Sequence, residues 1–183
     1  MSPLFTVGHS TRSAAELIAL LAEHGVAELV DVRRFPGSRR HPQFAREALA
    51  ASLAEAGIGY RHEADLGGRR QPRPDSPNTA WHNAGFRGYA DHMATPDFRQ
   101  ALARLLALAR ERPTVVLCAE AVPWRCHRNL LSDAAVAEGM EVRHLIGPGQ
   151  SSAHQLHPEA KLLPGGGLVY PAPGGQIALD FVE

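Results

Sequence analysis

Hydrophobic and polar positions alternate between two spacings along this chain. Leu4 to Val7 (LFTV) is a short apolar run that ends in the polar turn Gly8-His9-Ser10-Thr11. AAELIALLAEHG then carries leucine and isoleucine at helical spacing and closes on Gly25, a residue suited to a helix C-terminus. Ser13 with Glu16 three residues on has the spacing of a capping box. VAELVDV (26–32) reads as a second strand, AREALAASLAEA (45–56) as a helix and IGYRHE (58–63) as a third strand. After a further helix, DFRQALARLLALARER, come a buried-type strand at Thr114 to Leu117, a helix over 127–139 and a fifth strand, Glu141 to Leu145.

Five strands with helices between them predict an α/β domain. Its sheet is mostly parallel, with helices on both faces. That domain covers residues 1–147, and 148–183 is a linker-like extension in which LVYPAPGGQIALDFV suggests a β-hairpin around Pro173-Gly174-Gly175. Residues 64–94 break the pattern: four glycines and three prolines sit in a stretch with little periodicity. Connections of that length are usually either functional lids or disordered. Trp81, Phe86 and Tyr89 in it are expected to pack it down more than to stack on a ligand, as is Trp124 beyond it.

Right-handed crossovers place the C-terminal ends of all parallel strands on one edge, where open α/β sheets bind ligands. That edge collects His9, Ser10 and Thr11 after the first strand, and Asp31, Arg33 and Arg34 after the second. It collects His62 and Asp65 after the third, Cys118 and Glu120 after the fourth, and His144 on the fifth. The opposite edge has shorter loops.

Composition sharpens this in one respect. The 183 residues carry no formal net charge, so bulk charge does not argue for nucleic acid or an anionic membrane. Yet 18 of the 19 basic residues are arginine, whose planar fork suits carboxylate or phosphate. No apolar run approaches a membrane span, and the N-terminus does not resemble a signal peptide. Two cysteines make no disulfide scaffold, so a cytoplasmic protein with reduced thiols and no membrane partner is expected.

The densest chemistry is CAEAVPWRCHR at 118–128. Its last residues run into a helix start, which favours a negative ligand. His127 and Arg128 there, Arg33 and Asp31, and Ser10 with Thr11 are the candidate anion-binding residues; a structural ion pair of Arg128 with Asp31 or Glu120 is the equal alternative. Cys126, at a helix N-terminus beside basic residues, is the candidate nucleophile, and Cys118 reads as a packed strand-end residue. Glu120 and His9 are the candidate acid–base groups, with His62 or His144 as other bases. A mixed zinc set from Cys118, Cys126, His127 and His144 meets an objection: the cysteines are eight apart, outside the usual knuckle. The same spacing argues against a redox disulfide, so no metal or cofactor is expected.

TVGHSTRS at 6–13, DVRRFPGSRRHPQF at 31–44, GIGYRHEADLGG at 57–68, CAEAVPWRCHR and HQLHPEA at 154–160 together resemble the domain of unknown function number 488. The resemblance implies a bacterial or archaeal cytosolic protein with a site in these motifs, and no particular reaction. From the residues, an enzyme binding a phosphate- or carboxylate-bearing, nucleotide-like substrate and catalysing hydrolysis or group transfer is the first expectation. A non-catalytic nucleic-acid or regulatory-ligand domain, using the arginines of 33–46 and 69–73, is the second.

Overall fold

A computed structural model describes residues 2–174 of the chain. Its centre is β1 (Leu4–Gly8), buried along its whole length between two parallel neighbours, β4 (Thr114–Cys118) and β5 (Val142–Gly147). Outside β4 lie β2 (Glu28–Asp31) and β3 (Gly59–His62), both parallel to it. The far edge is β6 (Gln150–Ala153), antiparallel to β5, giving the order β3-β2-β4-β1-β5-β6. A second small sheet pairs β7 (Lys161–Leu162) with β8 (Leu168–Val169).

This is the mixed α/β domain the periodicity predicts, with one more strand. QSSA at 150–153 is polar and exposed, so it carries no apolar signal. The C-terminal hairpin turns at 163–167; the part of the expected hairpin from Gly175 onward lies outside the described residues.

Helices α1 (Ala14–Glu23) and α2 (Arg46–Glu55) cover one face of the sheet, packing Leu17, Leu21, Leu49 and Leu53 on Val7, Leu29 and Leu117. The Ser13 capping box forms, with Ser13 Oγ accepting from Glu16 N at 3.1 Å and Ser13 N donating back to Glu16 Oε2 at 3.2 Å. On the other face α3 (Ala84–Met93), α4 (Pro96–Glu111) and α5 (Arg128–Ala137) pack Tyr89, Phe98, Leu105 and Leu130 on Leu4, Val30, Val116 and Cys118. The α3 helix lies inside the stretch expected to be irregular. Gly85 and Gly88 weaken its propensity, and packing restores it: Gly88 sits so close to the backbone of Arg70 and Gln71 that a Cβ would collide.

Strand order fixes where a ligand would go. The connection from β1 leads past β4 to β2, and the one from β4 leads past β1 to β5. Neighbouring strands whose connections diverge leave a crevice at their C-terminal ends. Here that crevice opens between Gly8 and Cys118, which are register partners.

Candidate functional site

A cleft of about 580 Å³ occupies that crevice, within the size range of small-molecule sites. Six arginines line it, Arg33, Arg34, Arg39, Arg40, Arg69 and Arg125, with His9, His41 and His127 and a single carboxylate, Glu120. A smaller hollow of about 260 Å³ between α4, α5 and the 165–168 turn is lined mainly by apolar side chains and collects no such chemistry.

Each wall has a local cause. After β2, Asp31 is fully buried and accepts from Arg33 Nε at 2.9 Å, Arg33 Nη2 at 2.6 Å and Arg33 N at 3.1 Å. Tyr60 Oη donates to the same carboxylate at 2.7 Å. Asp31 therefore holds Arg33 in one orientation and does not line the cleft. The loop that follows brings Arg34, whose Nη1 donates to the Arg69 carbonyl at 2.8 Å, joining the second wall to the first. His9 stacks on Phe44 at 4.4 Å and its Nδ1 bonds the Ser10 carbonyl at 2.9 Å. Nδ1 must then carry the proton, leaving Nε2 an acceptor in the neutral ring. Burial and the nearby Arg33 charge lower the His9 pKa, against the raising effect of the Ser10 bond, which favours that neutral form.

The floor is made by CAEAVPWRCHR. After β4 the chain turns out through Glu120 and returns through a 3₁₀ turn at Pro123–Arg125. Cys126 Sγ comes to 2.9 Å from Cys118 Sγ, and both thiols are free. Arg128, 1% exposed, lies beneath them. Its Nη1 donates to Cys118 Sγ at 2.8 Å and to the Glu120 carbonyl at 3.0 Å, and Nη2 to the Ala121 carbonyl at 3.2 Å. No carboxylate pairs with Arg128 among the described residues, so neither Asp31 nor Glu120 serves as its counter-ion. A guanidinium buried without one is costly, which favours the thiolate form of Cys118, the sulfur to which Arg128 donates. Burial raises the Cys118 thiol, but the hydrogen bond from Cys126 and the Arg128 charge outweigh it and leave Cys118 below its ordinary pKa. Cys126, donating to that sulfur and buried beside it, is pushed up.

His127 closes the floor. Its Nδ1 is 3.6 Å from Cys126 Sγ, and Nε2 is buried with no hydrogen-bond partner among the described residues. Burial and the Arg128 guanidinium lower it to about 4, so it is neutral near pH 7. Gly68 lies against this ring, where a Cβ would come within 2.7 Å of Nδ1.

Of the residues expected at the site, His9, Arg33, Glu120, Cys126 and His127 line the cleft together; Ser10, Thr11, Asp31 and Arg128 do not. Ser10 has a left-handed φ of 49° and Thr11 is exposed. Cys118, expected only to pack, lines the cleft. Arg39, Arg40, His41 and Arg69 belong to it too; their signal was the arginine-rich composition of 33–46 and 69–73.

Sequence reasoning missed a second polar cluster. His154 Nε2 is 2.7 Å from Asp133 Oδ1, His144 Nε2 is 2.9 Å from His154 Nδ1, and Thr6 Oγ1 is 2.7 Å from His144 Nδ1. Tyr170 Oη donates to Asp133 Oδ2 at 2.9 Å. No group of three or more His, Cys, Asp or Glu side chains among the described residues is placed to hold a metal ion. No described helix is long and apolar enough to cross a membrane.

No curated protein and no solved structure matches the chain. A family model does, over residues 13–135, a span holding both cysteines, Glu120 and Arg128. On that match the chain belongs to the domain of unknown function family DUF488.

Proposed function

We propose that this protein is an enzyme that holds a phosphate- or carboxylate-bearing substrate in the arginine-lined cleft and transfers or hydrolyses a group at a cysteine sulfur on its floor. The observation that carries this is the cleft's charge: six arginines face one carboxylate at the crevice between β1 and β4. Concave low-dielectric walls of one sign concentrate oppositely charged ligands, and guanidinium forks bind carboxylate and phosphate bidentately. The Cys118 sulfur, paired with Arg128, is the strongest nucleophile there. Neutral His127, beside Cys126, and His9 are the proton acceptors within the site, and Glu120 supplies its one carboxyl group. A reducing cytoplasmic compartment is the setting in which this pair stays as thiols.

Isothermal titration with inorganic phosphate and with citrate tests the anion site. Binding that weakens with salt is expected, with a loss of about tenfold in affinity for the R39Q/R69Q double variant. Both arginines are exposed, so folding is not at stake. Heat-silent titrations, or an affinity unchanged in the double variant, would sink the reading.

A second reading has its own observation. Phe35 and Trp124 are 64% and 68% exposed, beside cleft arginines Arg34 and Arg125. Exposed aromatics among arginines suit single-stranded nucleic acid. Fluorescence anisotropy with a labelled single-stranded oligonucleotide decides it: F35A/W124A must abolish binding for a stacking surface.

A further inference from the structure

Spacing argued against any partnership between the two cysteines, and the fold reverses that. Their sulfurs are 2.9 Å apart and both line the same cleft. A disulfide needs about 2.05 Å between sulfurs, so bond formation asks for less than an ångström of movement. Cys118 and Cys126 stand on opposite arms of the 119–125 loop, which that bond would close. The anion cleft lies directly above, and His127 belongs to its lining.

We propose that Cys118 and Cys126 form a dithiol redox site that exchanges with a small carboxylate-bearing disulfide held by the cleft arginines. The choice of substrate rests on the anion-binding reading above; the dithiol chemistry does not. The Cys118 thiolate attacks one sulfur of the substrate disulfide. The S–S bond breaks, one half leaves as a thiolate facing the arginines, and a mixed disulfide forms on Cys118. Cys126 then passes its proton to neutral His127 Nδ1 and attacks the Cys118 sulfur, expelling the second thiolate. The protein pair loses two electrons and the substrate gains them, ending as two thiols with one proton from His127 and one from solvent.

Arg128 sets the direction of this exchange. It bonds the reduced pair through Cys118 and is 1% exposed. Oxidation removes its counter-charge and leaves a buried guanidinium. A dithiol whose reduced form is stabilised has an oxidising disulfide, so the oxidised protein should hand its disulfide on to dithiols readily.

The test uses the full chain, oxidised glutathione as the anionic probe and cystamine as the cationic one, with intact-mass and thiol-titre readouts. Because the pair's disulfide is oxidising, the wild type is expected to lose both thiols only to a large excess of oxidised glutathione kept free of the reduced form. C126S should accumulate one glutathione adduct on Cys118, and C118S should accumulate none. Cystamine should react about tenfold more slowly at low salt. An adduct on Cys126 in C118S, with none on Cys118 in C126S, overturns the assigned order of attack. Equal rates for the two probes overturn the anionic substrate and leave the dithiol site. No thiol loss with either overturns the redox site, and the phosphate titration then judges the anion cleft by itself. The role of Arg128 is read from alkylation against pH in folded variants. R128M should move the thiolate titration upward and R128K should hold it near the wild type; coincident profiles for all three overturn that role.

Discussion

Asp31 illustrates how one buried carboxylate can shape a site it does not enter. It accepts four hydrogen bonds, three from Arg33 and one from Tyr60, while being fully shielded from solvent. Breaking a buried pair by removing one charge leaves the other uncompensated, at about 3–5 kcal/mol. D31N is therefore expected to lower unfolding free energy by that order in urea titrations. It should also weaken phosphate binding, because Arg33 loses its fixed orientation. Y60F removes only one bond, for about 1 kcal/mol, and should leave phosphate binding intact. Equal losses of affinity in the two variants would refute the orienting role. The place of His9, Arg33 and Glu120 at the cleft was legible because each follows a strand end, and that of Cys126 because it precedes a helix. Cys118 was not, since the final residue of a buried strand looks like packing until Arg128 is seen beneath it.

At the scale of elements, the floor of the cleft exists because β1 and the loop after β4 touch backbone to backbone. Gly8 lies against the Glu120 carbonyl, and no side chain fits between them. That carbonyl also accepts from Arg128 Nη1, so the close approach and the buried guanidinium are one arrangement. G8A must push the 119–122 loop outward, separating Glu120 from Arg128 and opening the thiol pair. The expected outcome is faster alkylation of both cysteines by iodoacetamide and a destabilisation of about 1–3 kcal/mol. Unchanged alkylation would show that the loop tolerates the methyl without moving. Strands β1, β2, β4 and β5 and helices α1, α2, α4 and α5 were legible because each carries an apolar period, and β3 because Ile58 and Tyr60 alternate with their neighbours just past Gly57. α3 and β6 were not. Two glycines interrupt the first, and the second is a polar strand held only by its pairing with β5. Seven residues between the cysteines said nothing of distance, because the 3₁₀ turn at Pro123–Arg125 brings the chain back.

Across the whole molecule, histidines tie distant segments together. His144 on β5, His154 after β6 and Asp133 on α5 join three elements that share no sequence pattern, which hid this cluster from sequence reasoning. Every ring nitrogen in it has a partner: His154 Nε2 meets Asp133, His144 Nε2 meets His154 Nδ1, and His144 Nδ1 meets the Thr6 hydroxyl. Burial and the neighbouring His154 and Arg128 lower His144 to about 3, and His127 is lowered to about 4. His9 and His92 are lowered as well, chiefly by burial. In the unfolded chain these rings titrate near their ordinary value of about 6.5. Between pH 6.5 and about 4 the unfolded state therefore binds more protons than the folded one, and stability falls as pH falls. Above 6.5 these rings are neutral in both states and contribute no slope. His127 alone accounts for a loss of about 3 kcal/mol across that window, with the other three adding in the same direction. H127Q should flatten the decline by that share when urea unfolding free energies are compared at pH 7 and pH 4.5. If its decline matched the wild type's, His127 would already be charged or solvated in the folded protein. It could not then be the neutral proton acceptor beside Cys126.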